Sequence, residues 1–469
     1  MMRKTKIVAT IGPASDGKKD LTSLVDAGID IARQNFSHGT HEEHSSVVDY
    51  LRDIAPDLGV MMDTQGPEIR LNEVQEGTEL REGDKIDIVP GEKVGDHKTL
   101  SVDHPRIKDH LSKNDTILID DGLIELEVIK VDEKIRCKVK HGGKVLSKKS
   151  VNVPGKDLGL KAPTKKDKDD IKFASKKGFD FVSASFVKDP EDVYKIKDLI
   201  EKTGSEMDII AKVEHLKAVE NIDAIIEVAD GVMIARGDLG VEIPPSDVPV
   251  LQKQIIEKAN RREKPVITAT QMLKSMTESP RATRAEVSDV ANAVMDGSDA
   301  VMLSEETAIG RYPVKSVRFM SEVLNKMEKY IKEKDIRRMD MKDGNVDDII
   351  ARNVFEASKK IDAKYIVIHT SSGYTAHKIA KYRPDIDMIA FTDKKSVQRK
   401  LSLLWGTESL YSDFPEHVDD MINKTTKILF DDGRIERGDK LILTAGVPAP
   451  VTGITNTLQI RTVESILEE

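Results

Sequence analysis

The sequence predicts an α/β protein: a closed eight-stranded parallel (β/α)8 barrel, a small antiparallel β-barrel lid inserted into it, and a C-terminal α/β domain. Three observations lead there. Short, nearly continuous apolar runs alternate with helix-period segments, most at intervals of roughly 20 to 35 residues, the pattern of parallel strands covered on their faces. The runs number eight, the count that closes a barrel of the triosephosphate-isomerase type, with a doubly wound open sheet as the rival. Between the third and fourth runs the pattern changes to period two for roughly a hundred residues.

The eight runs are Lys6–Ile11, Ile29–Asn35, Gly59–Asp63, Phe181–Ser185, Ile209–Glu214, Gly231–Ala235, Val266–Thr270 and Ala300–Ser304. In the interruption, Ile124, Leu126 and Val128 alternate with Glu125 and Glu127, and turn signals recur at Glu82-Gly83-Asp84, Asp121-Gly122 and His141-Gly142-Gly143. Catalytic groups of such barrels sit at the C-terminal strand ends, so a domain inserted into that loop overhangs the site as a lid. A third region begins near Met339, with a helix at Val346–Lys360, a strand at Tyr365–His369, a Ser-Ser-Gly loop and a helix at Tyr374–Tyr382. Strands follow near Met388–Thr392, Lys440–Thr444 and Asn456–Val463. The expected division is barrel over 1–66 and 164–338, inserted lid over 67–163, and α/β domain over 339–469.

Composition narrows the function. Lys and Arg total 73 against 82 Asp and Glu, a net charge of -9, and no basic face is supplied for nucleic acid. No stretch reaches the ~20 apolar residues that cross a bilayer, and the basic N-terminus lacks a signal-type apolar region because Thr10, Gly12 and Pro13 interrupt it. The single cysteine, Cys137, excludes an internal disulfide framework and reads as a small buried strand residue. A cytoplasmic enzyme with neither nucleic-acid nor membrane partners is the expectation.

Charges and hydroxyls gather at the strand ends. The second strand ends in Ala32-Arg33-Gln34-Asn35-Phe36-Ser37-His38-Gly39 and the third in Asp63-Thr64-Gln65-Gly66-Pro67-Glu68-Ile69-Arg70. The fifth carries Lys212-Val213-Glu214, and the sixth runs into Arg236-Gly237-Asp238-Leu239-Gly240. The last two close on Thr268-Ala269-Thr270-Gln271 and Ser304-Glu305-Glu306-Thr307. Such groups are costly in a packed core unless they meet one another or a ligand. Glu214 and Asp238 suit a hard divalent cation that completes its shell with substrate oxygens. Arg33 can fork two donors onto a phosphate, and Lys212 offers a charge where a transferring phosphoryl group spreads its own. The set matches phosphoryl transfer, which needs positioning and charge neutralisation more than covalent chemistry.

Asn35-Phe36-Ser37-His38-Gly39, Asp63-Thr64-Gln65-Gly66-Pro67-Glu68-Ile69-Arg70 and Ala235-Arg236-Gly237-Asp238-Leu239-Gly240, with Thr10-Ile11-Gly12-Pro13-Ala14-Ser15, Ala269-Thr270-Gln271-Met272-Leu273 and Pro280-Arg281-Ala282-Thr283-Arg284-Ala285-Glu286, carry a resemblance to the pyruvate kinase family from Lys4 to the C-terminus. The resemblance implies transfer of the phosphoryl group of phosphoenolpyruvate to ADP, giving pyruvate and ATP. It also implies a homotetramer with a C-terminal effector domain. Matched position by position, Glu214 and Asp238 hold Mg2+ or Mn2+; Lys212 stabilises the moving phosphoryl group and the enolate; Arg33 holds the phosphate. Thr270 lies near the carbon to be protonated, though which group delivers the proton stays open, and Gly237 and Asp238 offer amides to the substrate carboxylate. Pro13, Asn35, His38, Arg70 and Lys166 match nucleotide contacts. Asn35, Ser37, Asp63 and Thr64 match the family's potassium ligands. Glu68 corresponds to members that require K+ and Gln65 and Leu71 to members that do not; the balance favours a K+ requirement. The loop Thr370-Ser371-Ser372-Gly373-Tyr374-Thr375 matches the place where the family binds the phosphate of an allosteric effector; a plain strand-to-helix connection is the alternative. The later loop 446–453 lacks the basic residues of members activated by fructose bisphosphate.

Other signals read as structure. His38, His41 and His44 are spaced i, i+3, not the i, i+4 of helical zinc ligands, and Thr40 with Glu43 reads as a helix-opening capping box, as do Thr283 and Glu286. Lys138, Lys140, Lys144, Lys148 and Lys149 read as a solvated lid face, with steering of nucleotide phosphates the alternative. Three rival functions are weighed. A carbon–carbon lyase on a similar barrel would not need the inserted lid, and an aldolase using Lys212 would need a neutral amine, which Glu214 opposes. A non-catalytic effector-binding protein would not need the whole strand-end set.

Overall fold

The computed structural model describes residues 2–334, 344–415, 417–446 and 453–467. The expected boundary at 338/339 and most of the loop 446–453 lie outside the described residues. Eight parallel strands, Lys6–Ile11, Ile31–Asn35, Gly59–Asp63, Phe181–Ala184, Asp208–Val213, Gly231–Ala235, Val266–Ala269 and Ala300–Leu303, close into a barrel in chain order, with the first paired to the last. Val8, Ile31, Met61, Phe181, Ile210, Met233, Ile267 and Ala300 fill its interior, and the opposite strand faces pack on the surrounding helices. Four of the expected strands stop one residue earlier than the apolar pattern suggests, because Ser185, Glu214, Thr270 and Ser304 have already turned out of the sheet.

The inserted segment forms a sheet in the order Val151–Asn152, Thr116–Ile119, Ile124–Val131, Ile135–His141, Lys85–Pro90, Thr99–Val102. It is antiparallel except for its last pair, Lys85–Pro90 with Thr99–Val102, which runs parallel. Single bridges from Arg70 to Ser150 and from Leu71 to Val102 tie the two outer edges together and close it. Cys137 lies in its core, and burial pushes the thiol up to about 12, so it is inert structure.

The C-terminal sheet has the order Thr407–Tyr411, Asp387–Thr392, Tyr365–His369, Lys440–Ala445, Thr457–Thr462, with only the last strand antiparallel. It docks on the barrel through buried charge. The Lys378 and Lys381 ammonium groups both reach Glu263 of the barrel, at 2.8 and 2.7 Å, and Asp348, at 3.0 and 2.7 Å. Arg383 pairs with Asp299 at 2.8 Å. The chain's only tryptophan, Trp405, is buried at this seam, its ring 5.1 Å from the Lys4 ammonium and 4.9 Å from the Arg383 guanidinium. Among the described residues, no helix is long and apolar enough to cross a membrane.

Candidate active site

A cavity of about 360 Å³ opens at the C-terminal mouth of the barrel and is roofed by the inserted sheet. Barrel residues Arg33, Asn35, Ser37, Asp63, Thr64, Lys212, Glu214 and Asp238 line it, opposite Asp120, Asp121, Lys149, Ser150 and Asn152 of the insertion. The lysines expected on the lid face thus divide: Lys149 pairs with Asp120 at the cavity, while Lys140 and Lys148 pair with Glu127 and Glu73 on the surface.

Asp63 organises the floor. Its Oδ2 accepts from Arg33 Nε at 2.7 Å and its Oδ1 from Lys212 Nζ at 3.2 Å, while Arg33 Nη1 donates to the Thr10 hydroxyl at 2.8 Å. Burial alone would raise the Asp63 carboxyl, but Arg33 and Lys212 outweigh it and hold the group below its ordinary value. Lys212 lies 2.6 Å from Glu214 Oε1. Burial opposes its charge, yet Asp63, Glu214 and Asp238 outweigh burial and keep the ammonium protonated far above neutrality. A Schiff-base role, which needs the free amine, is thereby disfavoured.

Glu214 is fixed on its other oxygen by the Phe186 amide at 2.8 Å. Asp238 opens the helix Arg236–Glu242 and reaches the cavity's solvent while protein encloses it elsewhere. Burial first, and then the Glu214 carboxylate, push its carboxyl above the ordinary range. Two carboxylates that share one cavity and repel each other form a donor set that a divalent cation relieves. Among the described residues, no three His, Cys, Asp or Glu side chains gather into a metal cage. Two carboxylates completed by substrate oxygens are the arrangement magnesium tolerates.

Of the other expected residues, neither Thr270 nor Gly237 reaches the cavity lining; they meet each other, Thr270 Oγ1 accepting from the Gly237 amide at 2.8 Å, with Thr270 itself in the left-handed region at φ 66°. The Gly237 amide is therefore already engaged. Arg70 lines the cavity and is held by Glu68, Nε to Oε2 at 2.7 Å. Lys166 is bound to Asp170 at 2.7 Å and to the Phe36 carbonyl, beside the Asn35–Ser37 turn but outside the lining. Pro13 and His38 are not brought to the cavity wall either. The other two histidines of the series are structural: His41 binds Asp170 at 2.8 Å, and His44 stacks on Phe36 and contacts Gln34 Oε1 at 2.7 Å. Both Thr40/Glu43 and Thr283/Glu286 form complete capping boxes. Within Thr370–Thr375, on the C-terminal sheet, Thr370 Oγ1 accepts from the Gly373 amide at 2.9 Å and Thr375 meets Thr455 at 2.8 Å, while Ser372 stays exposed.

Sequence reasoning missed Ser185, Phe186, His215 and Glu242, all of which line the cavity. Only the position of Ser185 at a strand end signalled the first. His215 Nε2 lies 3.5 Å from Glu242 Oε2, and nothing local to either residue announces the pair.

Comparison with known proteins agrees with this geometry. A family model for the pyruvate kinase barrel domain matches residues 2–317, and one for the pyruvate kinase alpha/beta domain matches 348–461. The chain is 44% identical over 478 residues to the pyruvate kinase of Geobacillus stearothermophilus, covering 100% of this chain and 81% of that protein. It is 41% identical over 472 residues to that of Staphylococcus aureus, with 98% and 81% covered. The crystal structure of a pyruvate kinase from Cryptosporidium parvum superposes with a TM-score of 0.90 at 36% identity, covering 98% of this chain and 96% of that one. Fold, site and likeness converge: the chain belongs to the pyruvate kinase family, phosphotransferases that use a divalent metal to move the phosphoryl group of phosphoenolpyruvate to ADP, giving pyruvate and ATP.

Proposed function

We propose that this chain carries out that final glycolytic step, in the cytoplasm, with the strand-end residues in the following roles. Arg33 holds the phosphate of phosphoenolpyruvate, and Lys212 meets the charge that spreads over the phosphoryl group and then the enolate. Glu214 and Asp238 would hold Mg2+ or Mn2+, whose charge when bound polarises phosphoryl oxygens. Thr270 stands by the carbon that gains a proton, while the Asp238 amide, joined by the Gly237 amide once that leaves the Thr270 hydroxyl it donates to at 2.8 Å, faces the substrate carboxylate. Asn35 and Arg70 at the cavity, with Pro13, His38 and Lys166 around it, receive the nucleotide. The observation that carries the reading is the convergence of Arg33, Lys212, Glu214 and Asp238 on one cavity from the ends of three strands of the barrel.

Asn35, Ser37, Asp63 and Thr64 bring only oxygen donors to one wall, as a K+ site requires. Glu68 lies beside that wall, held by Arg70. We extend the reading to domain roles: residues 1–66 and 164–338 form the catalytic barrel, 67–163 a lid, and 339–469 an effector and assembly domain in a homotetramer. A phosphorylated effector is assigned to Thr370–Thr375, where Ser372 remains open to solvent.

The test is pyruvate formation from phosphoenolpyruvate and ADP with magnesium, with and without potassium. Activity should appear only with the divalent ion and fall sharply when a bulky organic cation replaces potassium. Glu68→Lys should remove that sensitivity by placing an ammonium near the ion's position. Full activity of the parent enzyme without a small monovalent ion ends the potassium assignment; no pyruvate under any of these conditions ends the whole reading.

A further inference from the structure

Lys212 has a neutral neighbour besides its three acidic ones. Ser185, one residue beyond the fourth barrel strand, is 3% exposed and lines the cavity. A serine hydroxyl has one proton to give and lone pairs that accept. Two acceptors compete for the proton, the Thr64 carbonyl at 2.6 Å and Asp63 Oδ1 at 3.4 Å, and the nearer one takes it. The oxygen's lone pairs are then left for Lys212 Nζ at 2.8 Å. An ammonium only donates, so the direction of that bond is not ambiguous. The Ser185 amide also donates to Thr64 Oγ1 at 2.9 Å, which ties the backbone that carries the hydroxyl.

We infer that Ser185 is a positioning residue for phosphoryl transfer, a fixed acceptor that sets where the Lys212 ammonium stands among Asp63, Glu214 and Asp238. The carboxylates keep Lys212 charged, but a point charge on a flexible four-carbon stem has no preferred direction among them. Glu214 is also the contact that Lys212 must share with any cation the carboxylate holds. Ser185 carries no charge and has no such competitor. Its hold on Thr64 adds a mechanical link: the turn after the third strand and the ammonium on the fifth are braced through one oxygen. A misplacement of about 1 Å at a group that meets transition-state charge is enough to slow transfer without weakening ground-state binding.

The inference rests on Lys212 being the group that meets the phosphoryl charge, and the experiment keeps the two claims apart. Ser185→Ala is compared with the parent enzyme and with Lys212→Met in steady-state kinetics, thermal melting and titration with Mn2+ alone. Loss of a hydrogen bond to a charged group predicts a fall in kcat of about 10- to 100-fold for Ser185→Ala. KM for phosphoenolpyruvate, Mn2+ affinity and melting midpoint should each stay close to parent values. A kcat within about twofold of the parent overturns the inference. So does a fall in kcat matched by a lower melting midpoint or weaker Mn2+ binding, because that pattern marks a packing role. If Lys212→Met is itself nearly as active as the parent, the role of Lys212 falls first and the positioning claim falls with it.

Discussion

Lys212 shows how a side chain acquires function from neighbours that are distant in sequence. Asp63, Ser185 and Glu214 each lie within 3.2 Å of its ammonium. Replacement by methionine keeps the stem and removes the charge. Lys212→Met should lower kcat by about 10³-fold or more while Mn2+ binding at Glu214 and Asp238 persists, as steady-state assays and metal titration would reveal. Glu242 offers a second residue-level prediction. It is buried beside His215, and burial pushes its carboxyl up to about 7, against hydrogen bonds from Asn152 and Gly155 that pull the other way. The folded protein thus holds this proton at a pH where the unfolded chain has already released it. Stability on this account falls as pH rises from about 4.5 towards 7. Glu242→Gln should remove that decline, a gain on the order of 2 kcal/mol at pH 8 and little at pH 4 in denaturant titrations. Arg33, Lys212, Glu214 and Asp238 were legible because charge at the end of an apolar strand is conspicuous. Glu242 and His215 were not, because each sits in an ordinary local setting and gains its character from the insertion folding back on the barrel.

Among the elements, the strands were legible to within a residue or two, and the discrepancy itself has a cause. Apolar and small residues continue past the last ladder hydrogen bond, but Thr270 and Gln271 adopt φ of 66° and 56°, which no strand accepts. The helix Lys165–Lys177 illustrates shared duty. Its cap is a box in which Asp167 Oδ2 accepts from the Thr164 amide at 2.8 Å and from the Thr164 hydroxyl at 2.7 Å. The other oxygen of the same buried carboxylate accepts from the Gly66 amide, where the barrel chain leaves for the insertion, at 3.1 Å. Thr164→Ala should therefore cost about 1 kcal/mol and Asp167→Ala about 2 kcal/mol in the barrel's unfolding transition. Equal losses would mean that the Gly66 bond contributes nothing. The strand Thr407–Tyr411 was missed because its Glu, Ser and partly exposed Tyr suit a sheet edge, where apolar alternation is weak.

At the scale of the molecule, three closed or layered sheets are joined by two different means. The insertion meets the barrel around the cavity, partly through ion pairs from Asp157 to Lys188 at 2.9 Å and to Lys217 at 2.7 Å. The C-terminal sheet meets it through the buried Lys378, Lys381, Glu263 and Asp348 group. Removing one carboxylate from that group leaves two buried ammonium ions sharing the other. Glu263→Ala should cost about 3 kcal/mol or more and lower the temperature at which the C-terminal part melts, as calorimetry would register. None of this seam could be read from the sequence, since Glu263 lies more than a hundred positions from the lysines that it meets and no local pattern links them. The order of the three regions could be read, because each keeps its own hydrophobic period.

The lone indole, lodged in that seam between two cations, has a practical consequence. Tryptophan emission from this protein reports on a single location, with no second chromophore of its kind to blur the signal. Parting of the C-terminal sheet from the barrel would wet Trp405 and shift its colour to the red, whereas rearrangement confined to the roof of the catalytic cavity would leave it unchanged. The molecule thus carries an intrinsic optical gauge, needing no label, that separates motion at one joint from motion at the other.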